Sequence, residues 1–199
     1  MVNRNKYLSW LLRHGAAGQG LAMDEAGWVS VDDLLRIAGI SRVDLDRVMN
    51  SDSKHRLQCV EEQIRACQGH SLEVGVSREA LEKSWSTYRG ESSIWHGTLV
   101  GAITQIASEG LLPGDRTHVH CASTADSIVG KRAGAQVLLE ISPAQVRAAG
   151  LDIFEAPNGV VLVRQIPRDA IVGLMPRTRE ARKQETQMRT ALGFKRVVK

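Results

Sequence analysis

Basic residues cluster in four short segments of the sequence. The planar guanidinium of arginine matches two phosphate oxygens at once and stays charged near neutral pH. Histidine can donate a hydrogen bond or move a proton. Arginines that converge from such segments would form a phosphate-binding site, and the alternative, in which each is only an exposed solubilising charge, stays open at this point. The segments are Leu12–His14, Ile64–Ser71, Arg116–His120 and Gly130–Arg132.

Further histidines lie in the second half of the chain. His96, Gly97 and Thr98 follow a short apolar run, which predicts a strand end where backbone amides are free to meet a ligand. His118 and His120 are two residues apart and would share one face of a strand. That spacing occurs in metal sites, but no cysteine or acidic motif accompanies it, so we expect no metal.

The composition indicates a globular chain. The 199 residues are 43% hydrophobic, which is enough to form a core. No run approaches the roughly 20 apolar residues that span a bilayer, and no secretory signal is evident, so we expect a cytoplasmic protein. The cysteines have no paired spacing and predict reduced thiols. Lys and Arg predominate over residues 177–199, which favours a polyanionic partner.

The first part of the chain alternates helical patterns with loops. Ser30 and Ser41, each followed three residues later by aspartate, predict the N-caps of two short helices after an initial one. Leu57–Val60 and Gln63–Ala66 predict the two strands of a hairpin. Together these patterns favour a helix-turn-helix or winged-helix lobe. Such lobes bind nucleic acid in some proteins and are only packing modules in others.

The second part has the pattern of a small α+β lobe with mainly antiparallel strands. Apolar runs bounded by Gly, Pro and Asn predict strands at Ile94–Trp95, Val137–Ile141, Val160–Val163 and Ala170–Leu174. Short helices are predicted at Ala102–Glu109 and Pro143–Ala149, and residues 77–90 form a polar, helical connection. Neither a GxGxxG nor a GxxxxGK[ST] motif occurs, so a Rossmann or P-loop nucleotide site is not expected.

Read in order, the motifs are LLRH, IRACQGHS, WHGT, an EGL before RTHVH, GKR and FEAPNGVVL. In combination they resemble the RNA 2′-phosphotransferase family, whose members finish tRNA splicing in eukaryotes and also occur in bacteria and archaea. The resemblance runs from about Lys6 to Leu174. The segment SREALEKSWSTYRG replaces the family's proline-rich stretch before HGT, and Cys121-Ala122-Ser123 replaces the usual Leu-Ser after HVH.

The resemblance implies an α+β fold of two lobes. Residues 1–76 would form a winged-helix-like, RNA-binding lobe, and residues 77–92 the connection. Residues 93–176 would form an ADP-ribosyltransferase-like lobe of mainly antiparallel strands that binds NAD, and residues 177–199 a basic tail. The implied partners are NAD, as a co-substrate, and a tRNA-like RNA that carries a 2′-phosphate, with the protein acting as a monomer.

The resemblance also implies site residues, by motif. The catalytic set, which would grip the transferred phosphate, comprises Arg13, His14, Arg65 and Arg132. The NAD-binding set comprises His96, Gly97, Thr98, Arg116, His118, His120, Ser123 and Asn158. The set expected to contact RNA comprises Lys54, Arg56, Gln68, His70 and Ser71. Arg116 is the competitor of Arg132 for the last place in the phosphate clamp.

In the reaction that the resemblance implies, the RNA 2′-phosphate is transferred to the ADP-ribose half of NAD. The products are RNA with a free 2′-hydroxyl, ADP-ribose 1″,2″-cyclic phosphate and nicotinamide. Two other readings stay open. One is an ADP-ribosyltransferase that leaves stable ADP-ribose on a protein or a nucleic-acid end, although no motif singles out the glutamate typical of those that modify proteins. The other is a non-catalytic RNA-binding module.

Overall fold

The computed structural model describes residues 4–194, and the chain falls into two compact units. Among these residues the N-terminal unit contains 4–86, 114–117 and 156–158. The C-terminal unit contains 87–113, 118–155 and 159–194. Two short later segments of the chain therefore belong to the N-terminal unit. No helix in the described range is long and apolar enough to cross a membrane.

The N-terminal unit packs helices around a three-stranded antiparallel sheet with the strand order β1-β3-β2. Its 3₁₀ turns are Ala17–Gln19 and Leu72–Val74, and a π-helical turn, Leu11–Gly15, continues the first helix. In chain order the other elements are α1 (Arg4–Trp10), β1 (Val29–Ser30), α2 (Val31–Ala38), α3 (Arg42–Ser51), β2 (Leu57–Val60), β3 (Gln63–Ala66) and α4 (Arg78–Ser84).

Local sequence signals explain much of this unit. The Ser30 and Ser41 hydroxyls each accept a hydrogen bond from the backbone N–H three residues on, at 3.4 and 3.2 Å, so both predicted N-caps are confirmed. The predicted hairpin is confirmed at β2 and β3, which pair antiparallel, and Glu61 in its turn has a positive φ of 53°. Leu34 and Leu45 of the capped helices are fully buried in the core of this unit.

The C-terminal unit is built on an antiparallel sheet with the strand order β10-β7-β5-β6-β9-β8-β4. Strand β4 (Ser86–Thr87) lies where the chain passes from one unit to the next. The 3₁₀ turns are Val100–Ala102 and Arg168–Ala170. The other elements are β5 (Ile94–Thr98), α5 (Ile103–Glu109), β6 (Val119–Ala122), β7 (Val137–Ile141), α6 (Pro143–Ala148), β8 (Phe154–Glu155), β9 (Val160–Val163), β10 (Ile171–Pro176), α7 (Arg179–Lys183) and α8 (Glu185–Ala191).

Most predicted elements of the second half are present. Strands β7 and β9 have the predicted bounds, and α5, α6 and β10 differ from prediction only at their ends. The α+β class with antiparallel strands is confirmed, while the winged-helix and ADP-ribosyltransferase descriptions stay predictions. In the C-terminal segment, Ala181 of α7 and Met188 of α8 are buried in the core of the unit. Residues 195–199 of the predicted basic tail lie outside the described range.

One positional expectation is wrong. His96, Gly97 and Thr98 do not follow a strand end but form the second half of β5, opposite Leu139, Leu138 and Val137 of β7. The apolar run that predicted the strand covered only its first two residues, because the histidine, glycine and threonine that continue it interrupt the apolar pattern. The backbone of this segment is therefore committed to the sheet on the β7 side.

We expect Gly130, which precedes Lys131 and Arg132, to be indispensable for this part of the unit. Gly130 and Gly134 both have positive φ, +74° and +71°, but a Cβ on Gly130 would overlap the carbonyl of Cys121, whereas one on Gly134 meets nothing within 4 Å. Gly134→Ala should lower the free energy of unfolding by about 1–2 kcal/mol, the cost of a left-handed L-residue. Gly130→Ala should cost at least about 2 kcal/mol more, because it adds overpacking. Urea unfolding of both variants measures the difference, and equal destabilisation would contradict the assigned contact.

Candidate functional site

The first basic motif lies on the π-helical turn that follows α1. A π-helical turn inside a helix is rare and is frequently found at functional sites. Leu11 and Leu12 of this turn are fully buried in the core of the N-terminal unit. The core therefore fixes the backbone of the next two residues, Arg13, which is half-buried, and His14, which is exposed.

The guanidinium of Arg13 is only partly exposed to solvent, and it is not fully hydrogen-bonded within the described residues. Its Nε and Nη2 atoms are shielded from solvent and have no hydrogen-bond partner among the described residues. Burial, followed by the charges of Arg116 and Arg56, lowers the pKa of Arg13 to about 10, so it is still protonated at neutral pH. A buried charge without a partner is costly, and an anion that accepts two parallel hydrogen bonds from the guanidinium would remove that cost.

Backbone contacts join the segment that contains Arg116 to the segment of His70 and Ser71, which is itself bonded to Arg13. The N–H of Ser71 donates to the carbonyl of Arg13 at 3.0 Å, and the N–H of Thr117 donates to the carbonyl of His70 at 3.1 Å. Ser71 also forms an isolated antiparallel bridge with Arg116. After desolvation, the positive charge of Arg116 is the next cause that lowers the pKa values of Arg13 and His14. Arg116, predicted for the NAD-binding set, thus lies in the same unit as Arg13.

His14 is held in the neutral form. Desolvation of its ring, followed by the positive charges of Arg116 and Arg13, lowers the pKa of His14 below its ordinary value. A neutral imidazole has one donor and one acceptor nitrogen. At neutral pH His14 can therefore donate a hydrogen bond to an anion or accept a proton, and anion binding beside it would favour its protonated form.

The guanidinium of Arg65, unlike the Nε and Nη2 atoms of Arg13, is hydrogen-bonded within the N-terminal unit. It is only 2% exposed, and its guanidinium donates to Gln58 Oε1 at 2.9 Å, to the carbonyl of Ala26 at 3.2 Å and to Ser84 Oγ at 2.6 Å. It also lies over the ring of Trp28, 4.4 Å from the centroid. Arg65 therefore ties β3 to α4 and to the loop before β1. Its membership of the catalytic set stays a prediction.

His70 lies between the basic residues and is inaccessible to solvent. It is 0% exposed, and neither ring nitrogen has a hydrogen-bond partner within the described part of the chain. Burial, followed by the charges of Arg13, Arg65 and His14, lowers the pKa of His70 to about 3. Gln68 and Ser71 of the same motif are also buried. Contact of these three residues with RNA stays a prediction.

Lys54 and Arg56 are ordered by one buried carboxylate. Asp52, 4% exposed, accepts hydrogen bonds from the backbone N–H groups of Lys54 at 3.2 Å and Arg56 at 2.8 Å, and it pairs with the Arg56 guanidinium. Asn158 Nδ2 donates to the carbonyl of Lys54 at 3.0 Å. Asn158, predicted for the NAD-binding set, therefore lies in the N-terminal unit beside a residue of the predicted RNA-contacting set.

A cavity of about 380 Å³ opens beside Arg13 and His14. The side chains that line it come from α1, from the π-helical turn and from the residue before β2, and they are Asn5, Lys6, Ser9, Trp10, Arg13, His14 and Arg56. Sequence reasoning did not single out the four residues from α1. Among them Trp10 is 46% exposed in the structure, although it directly precedes the buried Leu11 and Leu12.

The remaining predicted residues lie in the C-terminal unit, around β5. The Nδ1 atom of His96 is 2.9 Å from the carbonyl of His120, which accepts its hydrogen bond. A Cβ on Gly97 would lie 3.3 Å from the backbone nitrogen of Arg132, so the segment of Arg132 packs against β5. Arg132 is itself exposed. Strand β5 thus links two predicted NAD-binding histidines with one predicted clamp arginine.

The other two residues of the predicted NAD-binding set flank β6. His118 is buried, 1% exposed, with its ring edge-on to Phe154 at a centroid distance of 6.4 Å. Ser123 directly follows β6 and is half-buried. Within residues 4–194 no three His, Cys, Asp or Glu side chains come together as a group that could hold a metal ion.

The comparisons with known proteins all indicate the same family. Residues 1–165 match the model of the family described as RNA 2′-phosphotransferase, Tpt1 / KptA family. A protein of Pseudomonas savastanoi pv. phaseolicola named "Probable RNA 2'-phosphotransferase" is 37% identical over 179 residues, 85% of this chain and 92% of that protein. A protein of the same name from Rhizobium leguminosarum bv. trifolii is 33% identical over 171 residues, 82% of this chain and 89% of that protein.

An α+β chain whose relatives are named as RNA 2′-phosphotransferases is a transferase. The chain belongs to the RNA 2′-phosphotransferase, Tpt1 / KptA family. The resemblance that began with LLRH and IRACQGHS is therefore confirmed. Which residues perform the chemistry stays a matter for proposal.

We expect His70 to make stability depend on pH below neutrality. The unfolded chain protonates this histidine near 6.5, whereas the folded pKa is about 3. The unfolded state binds more protons between these values, so the free energy of unfolding should fall by up to about 1.4 kcal/mol for each pH unit below 6.5. Above 6.5 the contribution is fully present.

Urea unfolding between about pH 5 and 7 measures this slope. His70→Gln should remove the part of the slope that His70 contributes and leave the part that comes from His14, whose pKa is also lowered. His55→Asn, at an exposed histidine with a positive φ of 43°, is the control for the loss of a surface histidine. An unchanged slope in His70→Gln would show that His70 is protonated in the folded protein as readily as in the unfolded chain.

Proposed function

We propose that this protein transfers an internal 2′-phosphate of a tRNA-like RNA to the ADP-ribose half of NAD in the cytoplasm. The products are RNA with a free 2′-hydroxyl, ADP-ribose 1″,2″-cyclic phosphate and nicotinamide. The observation that carries the proposal is the Arg13 guanidinium, whose Nε and Nη2 atoms are buried without a partner among the described residues, with Arg116 and His14 beside it.

A 2′-phosphate fits this basic cluster by charge and by geometry. The group carries up to two negative charges, and its oxygens can accept the paired hydrogen bonds that Arg13 offers. Arg116 supplies a second positive charge near by, which the effect on the pKa values of Arg13 and His14 supports. In the protein alone the cations of Arg13 and Arg116 repel each other. A bound RNA phosphate would attract both of them.

His14 has the properties of a proton donor to the departing RNA oxygen. Its pKa is lowered in the protein alone because its ring is desolvated and, in addition, because its neighbours Arg116 and Arg13 are cations. A bound phosphate dianion would cancel part of that repulsion and raise the pKa of His14, so the imidazole would take up a proton when the substrate binds. In our proposal the protonated ring then donates to the leaving 2′-oxygen.

NAD supplies ADP-ribose, which accepts the phosphate, and its nicotinamide group is a leaving group that is already cationic. The protein therefore has to position the phosphate and neutralise charge rather than activate a nucleophile. We assign this co-substrate to the C-terminal unit. The support is the chemistry around β5, where the His96 ring is fixed by the carbonyl of His120 and the exposed Arg132 is available for a pyrophosphate or for the transferred phosphate.

Arg13 and Arg65, the two arginines of the predicted catalytic set in the N-terminal unit, should behave differently when truncated. Arg13→Ala should lower turnover by at least about 100-fold, because a charge-assisted pair to the phosphate is lost. It should leave the free energy of unfolding unchanged or raise it, since an uncompensated charge is removed. Arg65→Ala should lower the free energy of unfolding by about 3 kcal/mol, because it removes hydrogen bonds from a charged group and a contact with Trp28.

The assay combines NAD with a short RNA that carries one internal 2′-phosphate and measures nicotinamide and RNA products. Arg36→Ala, which removes an exposed arginine paired with Asp33 in the same unit, is the matched control and should keep wild-type turnover. Stable ADP-ribosylated RNA that keeps its phosphate would identify an ADP-ribosyltransferase. RNA binding without nicotinamide release would identify a non-catalytic module. Inorganic phosphate with NAD unconsumed would refute the proposed reaction.

A further inference from the structure

The cavity beside Arg13 and His14 is larger than a phosphate group requires. Its volume of about 380 Å³ is in the range typical of ligand sites. Arg13 and His14 form only part of its lining, and the rest comes from α1 and from Arg56. The transferred phosphate would therefore occupy one end and leave space for a neighbouring part of the same substrate.

Trp10 gives this space an aromatic wall. The indole is 46% exposed, so much of its surface is available to a ligand. It is also held in place, because its six-membered ring lies against Gly15, where an added Cβ would be 2.7 Å from Cη2 and Cζ3. The ring of Tyr7 stacks on it at a centroid distance of 6.0 Å and an interplanar angle of 26°. An exposed tryptophan held in this way is suited to stacking with a flat ligand.

The rest of the lining is polar and positively charged. Lys6 and Arg56 contribute cations, and Asn5 and Ser9 contribute hydrogen-bonding groups. Arg56 is oriented by the carboxylate of Asp52, which fixes where its charge lies. A fixed aromatic ring with cations around it is the combination that single-stranded nucleic acid uses, with a base on the ring and a backbone phosphate near the cations. An apolar ligand would leave those cations desolvated.

We propose that this cavity, which we call the α1 subsite, binds the nucleotide adjacent to the one that carries the 2′-phosphate. Its base stacks on Trp10, and its backbone phosphate lies near Lys6 and Arg56. This inference rests on the proposed function, because it places the 2′-phosphate at Arg13 and His14. It adds a preference that the phosphate clamp alone would not give, namely for a base next to the reaction site.

Three trinucleotides test the α1 subsite, each with the 2′-phosphate on the central nucleotide. One is intact, one is abasic on the 5′ side and one is abasic on the 3′ side. For the wild-type protein one abasic substrate should lose about ten-fold in kcat/KM, the effect of one stacked base. Trp10→Ala should lose about as much on the intact substrate and should no longer distinguish it from the abasic one. Trp10→Phe should restore part of the discrimination.

Gly15→Ala provides a second variant in case Trp10→Ala does not fold. The backbone of Gly15 has no positive φ, so alanine is accommodated there, but its methyl group would push the indole away. The discrimination between intact and abasic substrates should fall in this variant, whatever happens to turnover. Lys6→Ala should weaken the salt dependence of KM more than Arg4→Ala, a matched change on the same helix at a residue that does not line the cavity.

The outcomes separate the α1 subsite from the proposed function. Wild-type turnover of all three trinucleotides at equal kcat/KM would overturn the α1 subsite and leave the phosphotransferase intact. Discrimination that persists unchanged in both Trp10→Ala and Gly15→Ala would place the stacking elsewhere and would also overturn it. Absence of nicotinamide release from any 2′-phosphorylated substrate would instead contradict the proposed function.

Discussion

Arg13 brings a positive charge into the N-terminal unit without hydrogen-bond partners for its Nε and Nη2 atoms among the described residues. Folding normally pairs a buried charge, because an unpaired one costs several kcal/mol in order-of-magnitude terms. The protein increases that cost by adding Arg116 and Arg56 near by, both of which depress the pKa of Arg13. An arrangement that is unfavourable in the protein alone becomes favourable when a dianion is present. Much of the surrounding structure can be understood as what holds this arrangement in place.

Arg65 shows that the same unit can satisfy a buried arginine. Its guanidinium meets neutral oxygens from Gln58, Ala26 and Ser84 and lies over Trp28, so its charge is dispersed over fixed dipoles and an aromatic face. The contacts of Arg65 therefore stabilise the fold, whereas the Nε and Nη2 atoms of Arg13, which have no partner among the described residues, are suited to a ligand. Backbone bonds from Ser71 to Arg13 and from Thr117 to His70 then join the π-helical turn, the QGHS motif and the segment 114–117.

Local signals in the sequence predicted what depends on local structure. Ser30 and Ser41 marked helix starts because each caps its own helix, and the hairpin and the β7 and β9 strands followed from runs of alternating or continuous apolar residues. The two-residue strand β8 and the second half of β5 were missed because only pairing partners define them. The motif order predicted the family, which the comparisons confirm.

The sequence did not indicate which distant segments of the chain come together in the fold. Nothing near Arg116 or Asn158 indicates that these residues return to the N-terminal unit, since the bridge to Ser71 and the bond to Lys54 join positions far apart in the chain. Trp10 directly precedes the buried Leu11 and Leu12, yet it is 46% exposed, and its six-membered ring lies against Gly15. Such facts depend on how elements pack rather than on any residue's own preference.

The central claim is that the Nε and Nη2 atoms of Arg13, which have no hydrogen-bond partner among the described residues, are there to bind the RNA 2′-phosphate. The most direct measurement compares the binding, without NAD, of a short RNA carrying one internal 2′-phosphate with that of the same RNA carrying a 2′-hydroxyl. For the wild-type protein the phosphorylated RNA should bind at least about ten-fold more tightly, as expected for a charge-assisted pair. In Arg13→Ala that preference should largely disappear while binding of the unphosphorylated RNA is kept. A preference of the same size in Arg13→Ala would contradict the account.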